Sequence, residues 1–256
     1  MALPIAGTIL LSTVKAYFGE VTPPNTLTSY NRGGTYVPDI SQNSNIPTSA
    51  SAGSPIRLSQ FRGSSDPETI TYTAGSANNV VTPQYQTTAT FKIWGGGGGG
   101  GEGNIGYGGG GGGGGFLIKT LNVTGGTTTF NYVVGSGGPG AFSAGTAGTT
   151  GGLSSVVINA TTYQANGGIG GGILNGSSGG TTSGNGDTGS ENGGSGGNSG
   201  GGGGNAGGQS YGGGQGGSTP GVTPPTIPGG GGDGADTFTF GGGQTGADGE
   251  IVIEYS

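Results

Sequence analysis

Two uninterrupted glycine runs, residues 95–101 and 108–115, limit what this chain can fold into more than any other feature. Glycine offers no side chain to bury and loses more backbone freedom on ordering than any other residue. Each ordered residue costs roughly 1–2 kcal/mol of backbone entropy. A side-chain core cannot offset that here: 72 of 256 residues are glycine and 28% are hydrophobic, where a globular chain carries roughly 45–50%.

Three states suit such runs. A flexible linker is one. Collagen is another, but it demands glycine at every third place with abundant proline, and here glycines come in pairs and longer runs with only 13 prolines. The third is a bundle of extended helices of polyglycine-II type, three residues per turn, whose amides bond from helix to helix. An interior helix must be glycine on all three faces; an edge helix can carry a side chain at every third residue. The run 108–115, roughly 25 Å long at 3.1 Å per residue, suits an interior position. Asn192-Gly-Gly-Ser195-Gly-Gly-Asn198 suits an edge, and Gln215-Gly-Gly-Ser218 repeats its spacing. Linker and bundle both remain open on the sequence; the bundle is the expectation.

The runs are bordered by strands. Residues 88–94 alternate polar and apolar, the period-two mark of a half-buried strand. Residues 116–123 and 127–134 read as a hairpin about Gly125-Gly126, and 155–159 with 161–165 as another about Asn159-Ala160. Residues 250–255 alternate again, and this end strand is expected to pair with 91–94. The fold class is mostly β and irregular: a loop-rich N-terminal module (1–65), a connector (66–87) and a glycine-rich β domain (88–256) with a polyglycine-II bundle. Only seven glycines precede Gly95.

The N-terminal part holds two related phrases, Pro4-Ile5-Ala6-Gly7-Thr8-Ile9-Leu10-Leu11-Ser12 and Pro55-Ile56-Arg57-Leu58-Ser59-Gln60-Phe61-Arg62-Gly63. In each, an apolar stretch meets a serine able to cap a short helix, and glycine stops it. Phe18 and Phe61 are candidate anchors docking on a neighbour; two small turns of a loop-rich domain are the plainer alternative. The segments 30–38 and 45–49 between them are turn chemistry.

Much chemistry is excluded by composition. There is no cysteine and no histidine, so disulfides, thiolate nucleophiles, imidazole bases and zinc fingers drop out. The six basic residues, Lys15, Arg32, Arg57, Arg62, Lys92 and Lys119, are scattered in a chain of net charge −6, which leaves no basic face for nucleic acid. Residues 2–11 lack a basic leader and read poorly as a secretory signal. Asp233 with Asp236, and Asp248 with Glu250, are the carboxylate pairs a glycosidase would need; solvated surface acids are the simpler reading, and no enzyme and no cofactor are expected.

The order of the N-terminal phrases, with Tyr30-Asn31-Arg32-Gly33-Gly34-Thr35-Tyr36-Val37-Pro38 and then Asn43 to Thr48, resembles a short module of tailed-bacteriophage virion proteins. The series Phe91–Gly98, Gly114–Gly125, Gly151–Asn159 and Ala247–Tyr255 resembles the glycine-rich terminal domain of phage tail fibres and receptor-binding adhesins. These resemblances imply a tail component, assembled in the host cytoplasm, with other tail or baseplate proteins and a bacterial surface receptor (a glycan or an outer-membrane protein) as partners. Attachment anchors are then Phe18, Tyr30, Arg32, Tyr36 and Phe61.

Interruptions of the glycine tract, residues 102–107, 139–150, 173–191, 205–211, 218–228 and 233–240, would protrude as loops from a rigid scaffold, where binding groups usually sit. Tyr107, Phe142, Leu174, Tyr211, Val222 and Ile227 are the candidate receptor contacts; Phe238 and Phe240 are read as gap-fillers. A purely architectural tail or baseplate subunit is the alternative. The N-terminal module buries too little to stand alone, so a homo-oligomer, a trimer, is expected. Light scattering of the purified chain at micromolar concentration checks this; a stable folded monomer would refute it.

Overall fold

Alternation of apolar and polar residues places the strands. In the computed structural model of the chain, Ala89, Phe91 and Ile93 are buried while the residues between them are half-buried. Ile251, Ile253 and Tyr255 repeat the pattern at the other end of the domain. The structure describes residues 14, 30–32, 37, 43, 45–48, 56, 58–61, 68–83, 86–104, 107–182, 185–198, 203–204, 207, 225, 228–235 and 242–256. Its strands are β1 (Glu68–Tyr72), β2 (Ser76–Val81), β3 (Thr88–Trp94), β4 (Phe116–Asn122), β5 (Thr129–Val133), β6 (Ser154–Ile158), β7 (Thr161–Ala165) and β8 (Glu250–Tyr255).

They form two antiparallel sheets, ordered β1-β8-β3-β4 and β2-β5-β6-β7. The sheets pack face to face. Phe91 of the first meets Phe130 of the second edge-on at 5.7 Å, and Ile93, Leu117, Ile251 and Ile253 share one cluster with Val156, Ile158, Tyr163 and Ala165. Each such side chain contributes roughly 1.5–3 kcal/mol on full burial, so this small sandwich holds most of the domain's apolar stabilisation. The expected pairing of end strand with first glycine-bordering strand is present, with Phe91 opposite Ile253 and Trp94 opposite Glu250. The β6–β7 hairpin also forms about Asn159 and Ala160, both at positive φ (50° and 59°), as a two-residue turn matching strand twist requires.

Two expectations are corrected. Residues 116–123 and 127–134 do not pair: β4 belongs to the first sheet and β5 to the second. The turn between them is a corner, its backbone tied to residues before β3 through Gly125 N–H to Gln86 O (3.0 Å) and Gly126 N–H to Thr82 O (2.9 Å), with Gly126 at φ 74°. The stretch 66–87, a connector by composition, carries β1 and β2, which border β8 and β5. Their outward residues are exposed, so alternation there is weak. Tyr72 of β1 stacks on Tyr132 of β5 at 4.0 Å, tying the two sheets along one side.

The glycine helices continue directly from the strands. Donors along 95–101 follow a period of three. Gly95, Gly98 and Gly101 bond to the carbonyls of Gly115, Gly112 and Gly109; Gly96 and Gly99 to Gly152 and Thr149; Gly97 and Gly100 to Ala247 and Gln244, all at 2.8–3.0 Å. Three further segments donate back, in the same chain direction: Gly168 and Gly171 to Gly96 and Gly99, Gly138 and Ala141 to Gly97 and Gly100, Gly232 and Ala235 to Gly98 and Gly101. Helix 95–101 is therefore bonded to three antiparallel and three parallel neighbours. This is a hexagonally packed polyglycine-II bundle.

Helix 108–115 also has six neighbours, four antiparallel and two parallel, adding 175–181, 191–197 and the residues 203–204 and 207 to the array. The contacts order the segments in three layers: 146–152, 166–172 and 175–181; then 135–141, 95–101, 108–115 and 191–197; then 242–249, 229–235 and the residues 203–204 and 207. The two uninterrupted glycine runs are the two interior helices. At the edge, Asn192, Ser195 and Asn198 are exposed as expected; Gln215 and Ser218 lie outside the described residues. Trp94 and Phe116, tilted at 4.7 Å, close the junction between sheet and bundle, and the Trp94 indole N–H donates to Gly207 O at 3.1 Å.

Absence of a side chain is what permits this spacing. A Cβ on Gly98 would stand 2.2 Å from the Ile169 carbonyl oxygen, and one on Gly111 2.1 Å from that of Gly98. Gly111→Val should destabilise by about 3 kcal/mol or more through overpacking, lowering the melting temperature by roughly 10 °C in a chain of this size. Ser195→Val, on the exposed edge, should change it little. Equal small shifts in calorimetry would contradict a cooperative bundle.

Candidate functional site

Strands feed the bundle at one end, so the turns that join a helix leaving one strand to a helix entering another, or to its neighbour, lie at the other, whereas loop 185–191 returns beside β4. Helices 95–101, 135–141 and 166–172 follow β3, β5 and β7; helices 108–115, 146–152 and 242–249 lead into β4, β6 and β8. Residues 102–104, 107, 142–145 and 173–174 therefore meet at the far tip, roughly 20 Å from the sheets for a seven-residue helix.

Backbone contacts hold these turns side by side. Glu102 N–H donates to Thr146 O (2.9 Å) and Thr146 N–H to Glu102 O (3.0 Å), while the Thr146 hydroxyl donates to Ser143 O across its own turn. Gly145 sits so close to Asn104 that a Cβ would meet its Oδ1 at 2.3 Å, and a Cβ on Gly103 would meet Ile173 O at 2.8 Å. Phe142 projects from this platform 76% exposed, with Leu174 at 49% and Ile173 at 40%. An aromatic face and two aliphatic side chains flanked by Asn104 and Ser143 can make apolar and hydrogen-bonding contacts together.

Phe142 and Leu174 are thus brought to one end as solvent-facing groups. Tyr107 lies in the same group of turns but is partly buried. Tyr211, Val222, Ile227, Phe238 and Phe240 lie outside the described residues, as do Phe18 and Tyr36. Ile173 was passed over by sequence reasoning although the dipeptide Ile173-Leu174, set between glycines and Asn175, is apolar where every neighbour is small or polar.

Of the N-terminal candidates, Tyr30, Arg32 and Phe61 are among the described residues. Tyr30 and Phe61 are fully buried within the chain and meet edge-on at 6.3 Å. Phe61 stands on the 3-10 turn Leu58–Phe61. Arg32 is placed by its backbone, which donates to Pro47 O at 2.9 Å and bridges to Val37.

The carboxylates tie the scaffold. Asp248 Oδ1 accepts from Gly137 N–H (2.7 Å) and Asp233 Oδ1 from Gly203 N–H (3.0 Å), while Glu250 is held in β8 opposite Trp94, its carboxyl pushed upward by burial. Among the described residues no group of three or more acidic side chains could hold a metal ion.

A second loop, 185–191, is pinned along β4. Lys119 Nζ donates to Asp187 Oδ1 at 2.6 Å, Thr120 N–H to Asp187 Oδ2 at 2.8 Å, and Asp187 N–H to Ile118 O at 2.8 Å. The Lys119 hydrogen bond, and after it that of the Thr120 amide, hold the Asp187 carboxyl below its ordinary range. A carboxyl depressed by folding contributes stability above its unfolded pKa, about 3.9, and loses it as pH falls through the lower folded value. The Thr120 amide proton should therefore titrate by NMR with a midpoint below about 3.9. A midpoint at or above that value would mean the contact does not persist in solution.

None of the curated proteins compared with this sequence matches it. A family model described as a glycine-rich domain matches residues 71–256, a span that takes in strands β2 to β8 and the whole described bundle. It begins inside β1, in the stretch that composition alone reads as connector. The chain belongs to this family of glycine-rich domains.

Proposed function

We propose that the chain is a structural component of a tailed-bacteriophage tail, a fibre or host-recognition tip, in which the glycine-helix bundle carries a contact surface for a bacterial receptor. One observation carries the reading: Phe142, Ile173 and Leu174, 76%, 40% and 49% exposed, lie on adjacent turns at the end of the bundle away from the sheets. Large apolar side chains left in water at one end of a backbone-bonded scaffold suit a partner surface. The resemblance of the bordering strands to phage adhesins names the class of partner, a surface glycan or an outer-membrane protein loop. The N-terminal residues 1–65 would face the tail or baseplate, and the mature chain would act as a trimer in the virion.

The role is recognition and not catalysis. Asp233 and Asp248, two of the candidate acids, bind backbone amides of the scaffold, which makes them structural groups. An architectural subunit without receptor contact is the competing role, and the tip residues separate the two.

Phe142→Ser with Leu174→Ser should leave the melting temperature within error, because both side chains are exposed. Phage carrying the pair should adsorb to host cells roughly tenfold less, the effect of about 1.4 kcal/mol lost per binding site. Adsorption at the unsubstituted level by phage with the folded variant would overturn the receptor-tip role and leave the architectural one.

A further inference from the structure

Four asparagines stand directly before glycine: Asn166, Asn175, Asn185 and Asn192. This pair is the most prone of all to spontaneous deamidation, because glycine puts no side chain in the way when its backbone nitrogen attacks the preceding side-chain amide. The reaction needs that nitrogen free to lose its proton and the side chain free to swing over it. The bundle denies these conditions at three of the four sites.

Gly193 N–H donates to Gly180 O at 2.9 Å, which ties the nitrogen following Asn192 into the helix array. Gly176 N–H, following Asn175, donates to Asn198 Oδ1 at 2.8 Å. At Asn166 the side chain is held instead: Nδ2 donates to Thr181 Oγ1 (2.9 Å) and Oδ1 accepts from Gln164 Nε2 (2.5 Å). Asn185 differs. It is exposed, and among the described residues neither its side chain nor the Gly186 N–H has a hydrogen-bond partner. It sits between two fixed points, the Ala165–Thr182 bridge and the Asp187 anchor on β4.

We propose that Asn185 is a built-in deamidation site, the place where this otherwise protected domain ages chemically. The Gly186 nitrogen bonds to Asn185 Cγ; the Cγ–Nδ2 bond breaks and ammonia leaves, taking the amide proton, to give a five-membered succinimide. Water then opens the ring at either carbonyl, giving aspartate or isoaspartate. The new carboxylate emerges at a cavity of about 410 Å³ lined by Lys119, Thr161, Tyr163, Asn185 and Gly186. There it competes with Asp187 for the Lys119 ammonium, so modification loosens the contact that fastens loop 185–191 to β4.

The test is incubation of the intact folded protein at mildly alkaline pH and body temperature. Cleavage after glutamate then releases 103–191 and 192–250 for fragmentation mass spectrometry. Acid should accumulate at Asn185 about tenfold faster than at Asn166, Asn175 or Asn192, a factor that corresponds to about 1.4 kcal/mol of protection. In denaturant the four sites should react at similar rates, which assigns the difference to the fold. Conversion at Asn175 or Asn192 as fast as at Asn185 in the folded protein would overturn the proposal. So would an unmodified Asn185 under conditions where the denatured chain reacts.

Discussion

Everything in this domain depends on one interaction, the hydrogen bond from the amide of one threefold helix to the carbonyl of the next. In an α-helix the amide and carbonyl groups are used within the helix. In an extended threefold helix they point outward unused, so a lone glycine helix has nothing to hold it. Six neighbours satisfy every turn of the helix at 95–101. Each bond is worth only about 1 kcal/mol net, but buried backbone groups left unpaired would each cost more than that. The array is therefore favourable only when nearly complete, which makes it cooperative and rigid.

That requirement explains the arrangement of the remainder. Glycine helices cannot nucleate from apolar burial, because they have none to offer. The two sheets supply it: β3, β5 and β7 launch helices and β4, β6 and β8 receive them, so pairing such as β3 with β8 sets the starting positions of the helices beyond. Trp94 and Phe116 seal the plane where side-chain packing gives way to backbone bonding. The aromatic content of the chain is low, and much of it stands at this plane and in the sandwich.

How far the sequence could be read follows from the same physics. An interior helix must be glycine on three faces, so runs 95–101 and 108–115 announce themselves, and an edge helix such as 191–197 shows its spacing through Asn192 and Ser195. Helices 135–141 and 242–249 are harder to see. Pro139 is exposed and has no N–H to lose, and Gln244 and Asp248 lie at or near the surface, so their sequences look like loops. The corner at 123–128 reads as a hairpin because local turn chemistry is the same whether the chain reverses within a sheet or crosses to another. Long-range backbone bonds to Thr82 and Gln86 decide it, and alternation carries no trace of them. At the tip, Phe142 and Leu174 were legible as apolar residues in glycine surroundings, but their proximity depends on which helices are neighbours.

The bundle also separates the parts of the chain that can change from those that cannot. Turn 102–107 joins helices bonded directly to each other, as do 142–145 and 173–174, the last with Gly172 N–H donating to Asn175 O at 2.8 Å. Each tip turn has only to span adjacent helices, and doubling a loop's length costs only about 0.6 kcal/mol. Within a helix the opposite holds. One inserted residue rotates everything beyond it by a third of a turn, so each amide faces the wrong neighbour and each glycine face the wrong carbonyl. A two-residue turn such as Ile173-Leu174 and a longer one such as 102–107 fit the same frame, while a single residue added to 108–115 would break its bonds to all six neighbours. Variation in length and side chain is thus confined by backbone geometry to the connections between helices, at the tip where Phe142 and Leu174 face solvent and, at the sheet end, in loop 185–191 along β4.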